Sequence, residues 1–285
     1  GSTELPGIWV GKFEASGTTD NYTIKPNLKS LTDINVSTMF NTSRAVTTTK
    51  TSIYGTNSNT SDSHMMKNME WGVVAYLTNS IYGRYNDAST CIDSGCEVWI
   101  NNINTGSGDL NGPSITGCSG SSTSADVSSS QTACASGYDW KTKGVNASTT
   151  GNIYGIYDMS GGAWEYVMGV QKDSSGNTQV GDSGISMSSL PDSKYYDLYD
   201  YQAEDGVGYT RYHLGDAIRE ALKNTSSQGG NAWWSDYSYN IYSSHPWVSR
   251  GGGYSRGSGA GVFNFTRNNG WNHTHDSFRS VLTTS

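Results

Sequence analysis

Charge is scarce in this chain of 285 residues: Asp, Glu, Lys and Arg together make up 15% of it. Lys and Arg number 18 against 25 acids, a formal charge of -7, and no basic run occurs. Displacing counterions from phosphate needs a positive face, so nucleic-acid binding is disfavoured, as is attraction to an anionic membrane. No stretch approaches the roughly 18 continuous apolar residues of a transmembrane helix. Gly1-Ser2 reads as a cloning scar, which leaves open a removed N-terminal signal, prepilin or anchor helix, the only membrane attachment envisaged. Neither GxGxxG nor GxxxxGK(S/T) is present, so there is no glycine-rich phosphate cradle. HExxH is missing as well, which removes a zinc-protease helix.

What is abundant is Gly (35), Tyr (19), Trp (9) and small polar residues. A disordered chain would have few aromatics and high net charge, so these proportions describe a folded, loop-rich domain with a lightly charged surface. The four cysteines, Cys91, Cys96, Cys118 and Cys134, all fall in one Gly/Ser/Asn-rich region and allow three pairings. Joining Cys91 to Cys96 and Cys118 to Cys134 closes the shortest loops. A staple across about fifteen residues stabilises by roughly 3 kcal/mol, which suits an insertion, residues 84–147, with little core of its own. Disulfides imply an oxidising, extracellular setting. A zinc site of CxxC type would need tighter spacing and more ligands. Eight Asn-x-Ser/Thr triplets occur, as Ser/Thr/Asn-rich chains produce by chance, and they do not establish glycosylation.

Along the chain, Leu5 to Glu14 alternates as an opening strand through Ile8, Val10 and Phe13, with Trp9 on the other face. Asn27 to Ala45 has an uneven helical pattern. Ser63 to Leu77 reads as a helix capped by Ser63, with Met66, Met69, Val73 and Leu77 on its buried face. Glu97 to Asn101 is a short strand within the insertion. In Ser148 to Gly169 the bends at Asn152, Gly155, Gly161 and Gly162 let Tyr154, Tyr157, Trp164 and Tyr166 pack together, while Asp158 and Glu165 bond to backbone amides in a core. Asp173 and Asp182 faintly suggest a calcium loop, but the bidentate acid is missing, and a solvated loop is the better reading. Lys194 to Tyr212 supplies a polar aromatic surface, and Gly215 to Lys223 a short helix.

The stretch from Trp247 to Leu282 organises the rest. Apolar residues that look structural (Trp247, Val248, Val262, Phe263, Phe265, Phe278, Val281 and Leu282) punctuate it. Between them lie Tyr254, Ser255, Arg256, Ser258, Asn264, Thr266, Arg267, His273, Thr274, His275 and Asp276. Those spacers have the composition of an antibody paratope, where Tyr and Arg give contact area at low entropy cost and small polar residues give adaptable hydrogen bonds. His273, His275 and Asp276 are too few donors for a zinc claim, and His213 and His245 are explained by neighbouring aromatics. Asp197, Asp200, Glu204 and Asp205 could form a paired-carboxylate cleft, but solvated Tyr/Asp loops account for them better.

Three segments together carry a resemblance: MEWGVVAYL, GNIYGIYDMSGGAWEYVMG, and WVSRGGGY followed by SFRSVL. They resemble the C-type-lectin-like fold of the formylglycine-generating (sulfatase-modifying factor) enzymes and, more closely, of the variable ligand-binding proteins of diversity-generating retroelements. Asn152, Gly155, Tyr157, Asp158, Met159, Gly161, Trp164, Glu165, Arg250, Gly251, Gly252, Tyr254, Phe278 and Arg279 fit the pattern, which spans roughly Ile8 to Leu282. The enzyme branch has catalytic cysteines shortly after the Gly-Gly-x-Tyr turn; here that region reads SRGSGAGVF, so the thiolate chemistry has no nucleophile or soft copper ligand. The calcium signature of sugar-binding lectins is also missing. The resemblance implies a single α+β domain over residues 1–285 with few helices, short mainly antiparallel strands and many loops. It further implies a variable region at 247–282 whose adenine-mutated codons diversify the spacers, while Trp271 is not reachable from an Asn codon.

The function expected is binding, not catalysis, by a bacterial or phage protein that is extracellular or on the cell surface. Its partner would be a protein or glycan on another cell or phage host. No cofactor is expected, and calcium binding stays open. The alternatives are an enzyme of the same fold that uses other residues and a structural pilus or phage-tail display subunit.

Overall fold

The computed structural model describes residues 7–84, 98–101, 112–118, 120–121, 124–125, 134, 138–206, 209–223 and 230–284. Within them the chain runs β1 (Ile8–Val10), β2 (Ser16–Gly17), β3 (Tyr22–Thr23), α1 (Val36–Ala45), α2 (Thr51–Tyr54), β4 (Ser61–Met65) and α3 (Asn68–Thr78). It continues through β5 (Gly120–Ser121), β6 (Ser124–Ala125), β7 (Trp164–Gln171), β8 (Asp197–Tyr199), β9 (Gly230–Asn231) and β10 (Tyr237–Ser238). The last strands are β11 (Trp247–Arg250), β12 (Phe265–Asn268), β13 (Asp276–Phe278) and β14 (Ser280–Thr284). This is an α+β fold with few helices, mainly antiparallel short strands and long irregular connections.

The larger sheet runs β13-β7-β11-β12-β10-β9, with β8 also paired to β7. Every residue of β7 is buried, as expected for a strand covered on both faces. Its side chains alternate between two cores because a strand has a period of two. Tyr166, Met168 and Val170 meet Val36, Met39 and Phe40 of α1, whereas Val167 joins Trp71, Val74 and Ala75 of α3. The smaller antiparallel sheet, β1-β14-β4, seats the C-terminal strand between two N-terminal ones.

Several local expectations change for identifiable reasons. The first helix starts at Val36 rather than Asn27, because Asn27 and Asp33 both adopt φ near 60° and Asn35 caps the helix by accepting from the Thr38 amide at 3.0 Å. Ser63 is no cap: it lies in β4 opposite Leu282, and its hydroxyl donates to Ser43 O. The α3 helix starts instead after Lys67, whose amide donates to the Glu70 carboxylate at 2.8 Å. Its buried face carries Trp71, Val74, Ala75 and Thr78, while Val73 (47%) and Leu77 (51%) are exposed. The helix is apolar nearly all round, so periodicity could not choose the face. Gly72 helped decide it, since the backbone of Asp216 comes so near that a Cβ there would lie 2.8 Å from the Asp216 Cα.

The segment Gly215–Lys223 is a series of turns, not a helix. Ala217 has φ 55° and the Asp216 carboxylate accepts from the Ile218 and Arg219 amides, which satisfies the donors a helix would have used. Val98, Trp99 and Ile100 form no strand, and Asn101 makes one bridge to Gly161; Glu97 lies outside the described residues. Tyr154 is exposed, and Tyr157 packs against Phe13 and Trp140 rather than its sequence neighbours. The disulfide Cys118–Cys134 is present, beside Ile115 and Tyr138. Cys91 and Cys96 lie outside the described residues. Among the described residues no helix is long and apolar enough to cross a membrane.

Candidate functional site

Most of the apolar punctuation of the C-terminal stretch is buried: Trp247, Val248, Val262, Phe263, Phe265, Phe278 and Val281 all belong to the two cores, while Leu282 is half-buried. Between β11 and β12 the chain turns at Gly251 and Gly252, with φ of 80° and 72°. A Cβ on Gly252 would come within 2.7 Å of Ala260 Cα, so the loop can close only over glycine. The Asp236 carboxylate accepts from the Phe263 amide at 2.9 Å, which ties the loop to the segment before β10.

On this base stands a row of planar groups. The Arg256 guanidinium lies 5.6 Å from the Trp164 ring and 4.9 Å from that of Tyr237. Tyr237 stacks on Tyr239 at 5.7 Å, since residues two apart on a strand face the same way while Ser238 between them points inward. Arg267 follows, 3.7 Å from Tyr239 and 4.4 Å from Tyr242, with both terminal nitrogens on the Asp205 carboxylate. Tyr242 stacks on His245 and its hydroxyl meets His245 Nδ1 at 3.1 Å. Burial first, then the Arg267 charge, lowers the His245 pKa; burial lowers that of His273 too. Both rings are therefore neutral near pH 7 and act as hydrogen-bonding faces rather than charges. The His273 ring reaches Asn268 Oδ1 at 3.1 Å and lies 5.2 Å from the His275 ring.

The spacers divide. Arg256, Ser258 and Thr274 are exposed, and Ser255, Thr266, Arg267, His273 and His275 are half-buried. Tyr254, Asn264 and Asp276 are 5%, 0% and 1% exposed, which corrects the expectation that they are displayed. The Tyr254 hydroxyl donates to Gly112 O at 3.3 Å and its amide to Gly162 O at 2.8 Å. Asn264 Nδ2 donates to Gly259 O at 2.6 Å across the loop. Asp276 pairs β13 with Trp164 of β7 and accepts from Asn268 Nδ2, and burial pushes its carboxyl up to about 8. All three hold the surface from below.

The row also contains groups that the C-terminal window leaves out. Tyr237, Tyr239, Tyr242 and His245 come from the preceding segment, where the Tyr-x-Tyr alternation was the available signal. His275 Nε2 lies 3.6 Å from Asp276 Oδ1 but His273 turns to Asn268, and among the described residues no group of three His, Cys, Asp or Glu is placed to hold a metal. The Lys194 to Tyr212 run is no continuous aromatic surface, since Tyr195, Tyr199 and Tyr212 are core residues. Its acids have separate partners: Asp197 takes the Met69 amide, Asp200 pairs with Lys172, and Asp205 pairs with Arg267. Asp173 accepts from the Ser175 and Asn177 amides of its own turn.

Most of the motif residues lie beneath this surface rather than in it. Arg279, 1% exposed, donates to Glu165 at 2.5 and 3.2 Å, to Gly11 O at 2.6 Å and to Tyr157 O at 2.9 Å. Asp158 accepts from Asn101 and the Gly117 amide, and Glu14 from the Ala163 amide and Ser114 hydroxyl. Burial, partly offset by Arg279, pushes Asp158 up to about 6 and Glu165 up to about 7; burial and the two neighbouring carboxylates push Glu14 well above its ordinary value. These carboxyls are enclosed and bonded, so they knit β1, β7, β14 and the insertion rather than line a cleft. No protein-family model matches the chain, and no curated protein matches it.

Proposed function

We propose that this is a ligand-binding protein of C-type-lectin-like fold whose C-terminal stretch is a diversified recognition surface, displayed outside the cell by a bacterium or phage. The observation that carries the reading is the division of that stretch. Seven of its large apolar residues are sealed in two cores, and of its polar spacers three are exposed and five half-buried, beside a continuous row of rings and guanidinium groups. Such a scaffold lets the eight positions change without unfolding the core, and its rigid presentation reduces the entropy lost on binding. Rings and guanidinium groups are the side chains that dominate interface energetics, and they suit a protein or glycan partner. The mechanism is association alone. The Cys118–Cys134 disulfide is compatible with the extracellular setting.

Deep sequencing of the locus across sibling isolates tests this. Differences should concentrate at Ser255, Arg256, Ser258, Thr266, Arg267, His273, Thr274 and His275 and match adenines in a nearby template repeat, with Tyr254, Asn264 and Asp276 unchanged. Substitutions spread evenly over the gene, or none at the eight codons, overturn the reading.

A further inference from the structure

Away from the row of rings and guanidinium groups, where α1, β4 and the start of α3 meet, a cavity of about 550 Å³ opens to solvent, and none of its lining residues belongs to that row. That volume falls in the range of small-molecule sites. Its charged lining consists of Arg44, Lys67 and Lys194 against Asp62 and Glu70, three cations to two anions and so a surplus of one positive charge, in a chain whose formal charge is -7. Both carboxylates are already engaged. Asp62 accepts from Arg44, from Lys194 at 2.8 Å and from the Tyr195 hydroxyl at 3.0 Å. Glu70 accepts from His64 Nε2 at 2.9 Å and from the Lys67 amide.

His64 is the second observation. It is 5% exposed, lines the cavity, and is oriented by Glu70, yet its Nδ1 is buried without a hydrogen-bond partner. Leaving a buried nitrogen unsatisfied destabilises the fold, and a polar ligand group would relieve that cost. A hydroxyl would donate to it, or a carboxylate would accept from the protonated ring. The surplus charge favours an anion, while the fixed carboxylates Asp62 and Glu70 oppose a second negative charge on it. Hydroxyls of Thr48, Ser58, Ser61 and Thr284 line the remainder, and with both lining carboxylates engaged neither is left over for a ligand ammonium.

We propose that this cavity is a second binding site, for a hydroxylated monoanion of the sugar-acid class, its carboxylate held by Arg44, Lys67 and Lys194 and its polar edge against His64. The test uses the full chain with labelled histidine, the His64 signals being assigned by their loss in His64→Gln. D-Glucuronate, D-glucose, D-glucosamine and inorganic phosphate are titrated in turn at constant ionic strength. Glucuronate should give a saturating change at His64, at least tenfold tighter than the other three. Lys194→Gln, at a side chain that is 57% exposed and so dispensable for folding, should weaken glucuronate at least fivefold. No saturation by glucuronate, equal response to glucose or glucosamine, phosphate binding as tightly as glucuronate, or an unchanged affinity in Lys194→Gln would each overturn the proposal.

Discussion

Replacing Arg279 with Met should cripple the fold, and more severely in alkali than in acid. The side chain has no exposure to speak of and makes four hydrogen bonds, two to Glu165 and two to the carbonyls of Gly11 and Tyr157. Removing one partner of a buried ion pair costs about 3–5 kcal/mol, because the other charge is left uncompensated. The two carbonyls, one near the start of the chain and one near its middle, add roughly 1–3 kcal/mol each unless water reaches them. A loss of about 4 kcal/mol or more is a large part of the ~5–15 kcal/mol that holds a domain together.

The pH dependence follows from the carboxyls that Arg279 serves. Burial raises Asp158 to about 6 and Glu165 to about 7 in the folded chain, and Glu14 is raised as well. A carboxyl with a raised folded value binds its proton more tightly folded than unfolded. Its contribution is therefore complete below the unfolded value, near 4, and is lost as pH rises through 6 and 7. Without Arg279 these values climb further, so the gap between variant and parent widens over the same range, by about 1.4 kcal/mol for each unit of added shift. Urea unfolding of both proteins at pH 5 and pH 8 measures it. A deficit below about 1.5 kcal/mol at pH 8, or one equal at the two pH values, would refute the account that an uncompensated buried charge is what hurts. Adding Glu165→Gln to Arg279→Met should recover about 1 kcal/mol or more at pH 8, since contacting residues couple.

Gly72→Ala should lower the melting temperature despite the better helix propensity of alanine, because the gain of about 1 kcal/mol cannot offset a clash with the Asp216 backbone that costs about 1–3 kcal/mol or more; a rise in thermal unfolding midpoint would refute the close approach. Arg256→Ala and Ser258→Arg, on exposed sites, should change unfolding free energy by less than about 0.5 kcal/mol, whereas Asn264→Ser, which loses the bond across the loop, should cost about 1–3 kcal/mol. Equal effects at the three positions would remove the distinction between displayed and supporting spacers. Cys118→Ser with Cys134→Ser should lower stability by about 3 kcal/mol in denaturant, from a loop of sequence separation 16; an unchanged midpoint would mean that the insertion is held by its other contacts alone.

How much was legible follows from the range of the forces involved. Local chemistry is written along the chain. Trp9 stands outward on the opening strand, and His213 and His245 pack against Tyr199 and Tyr242. The apolar punctuation from Trp247 to Val281 is core, because a large apolar side chain recurring among polar ones must be buried somewhere. The division of α+β structure into few helices and many short strands was implied by the resemblance of three segments, not by periodicity. The choice between equivalent local solutions could not. Met69, Val73 and Leu77 form as good a helical stripe as Trp71, Val74 and Ala75, and only the sheet and the backbone at Asp216 decide which stripe is covered. Tyr254, Asn264 and Asp276 have the composition of displayed residues. Their burial is tolerated because Gly112, 142 positions from Tyr254, and Gly259 and Asn268, 5 and 8 positions from Asn264 and Asp276, give their polar atoms partners. Residue types thus determined that the chain has a core and a lightly charged polar surface. Tertiary contacts decided which spacer belongs to which, because satisfying a buried polar atom depends on how the loop closes and what packs over it, which residue type alone does not show.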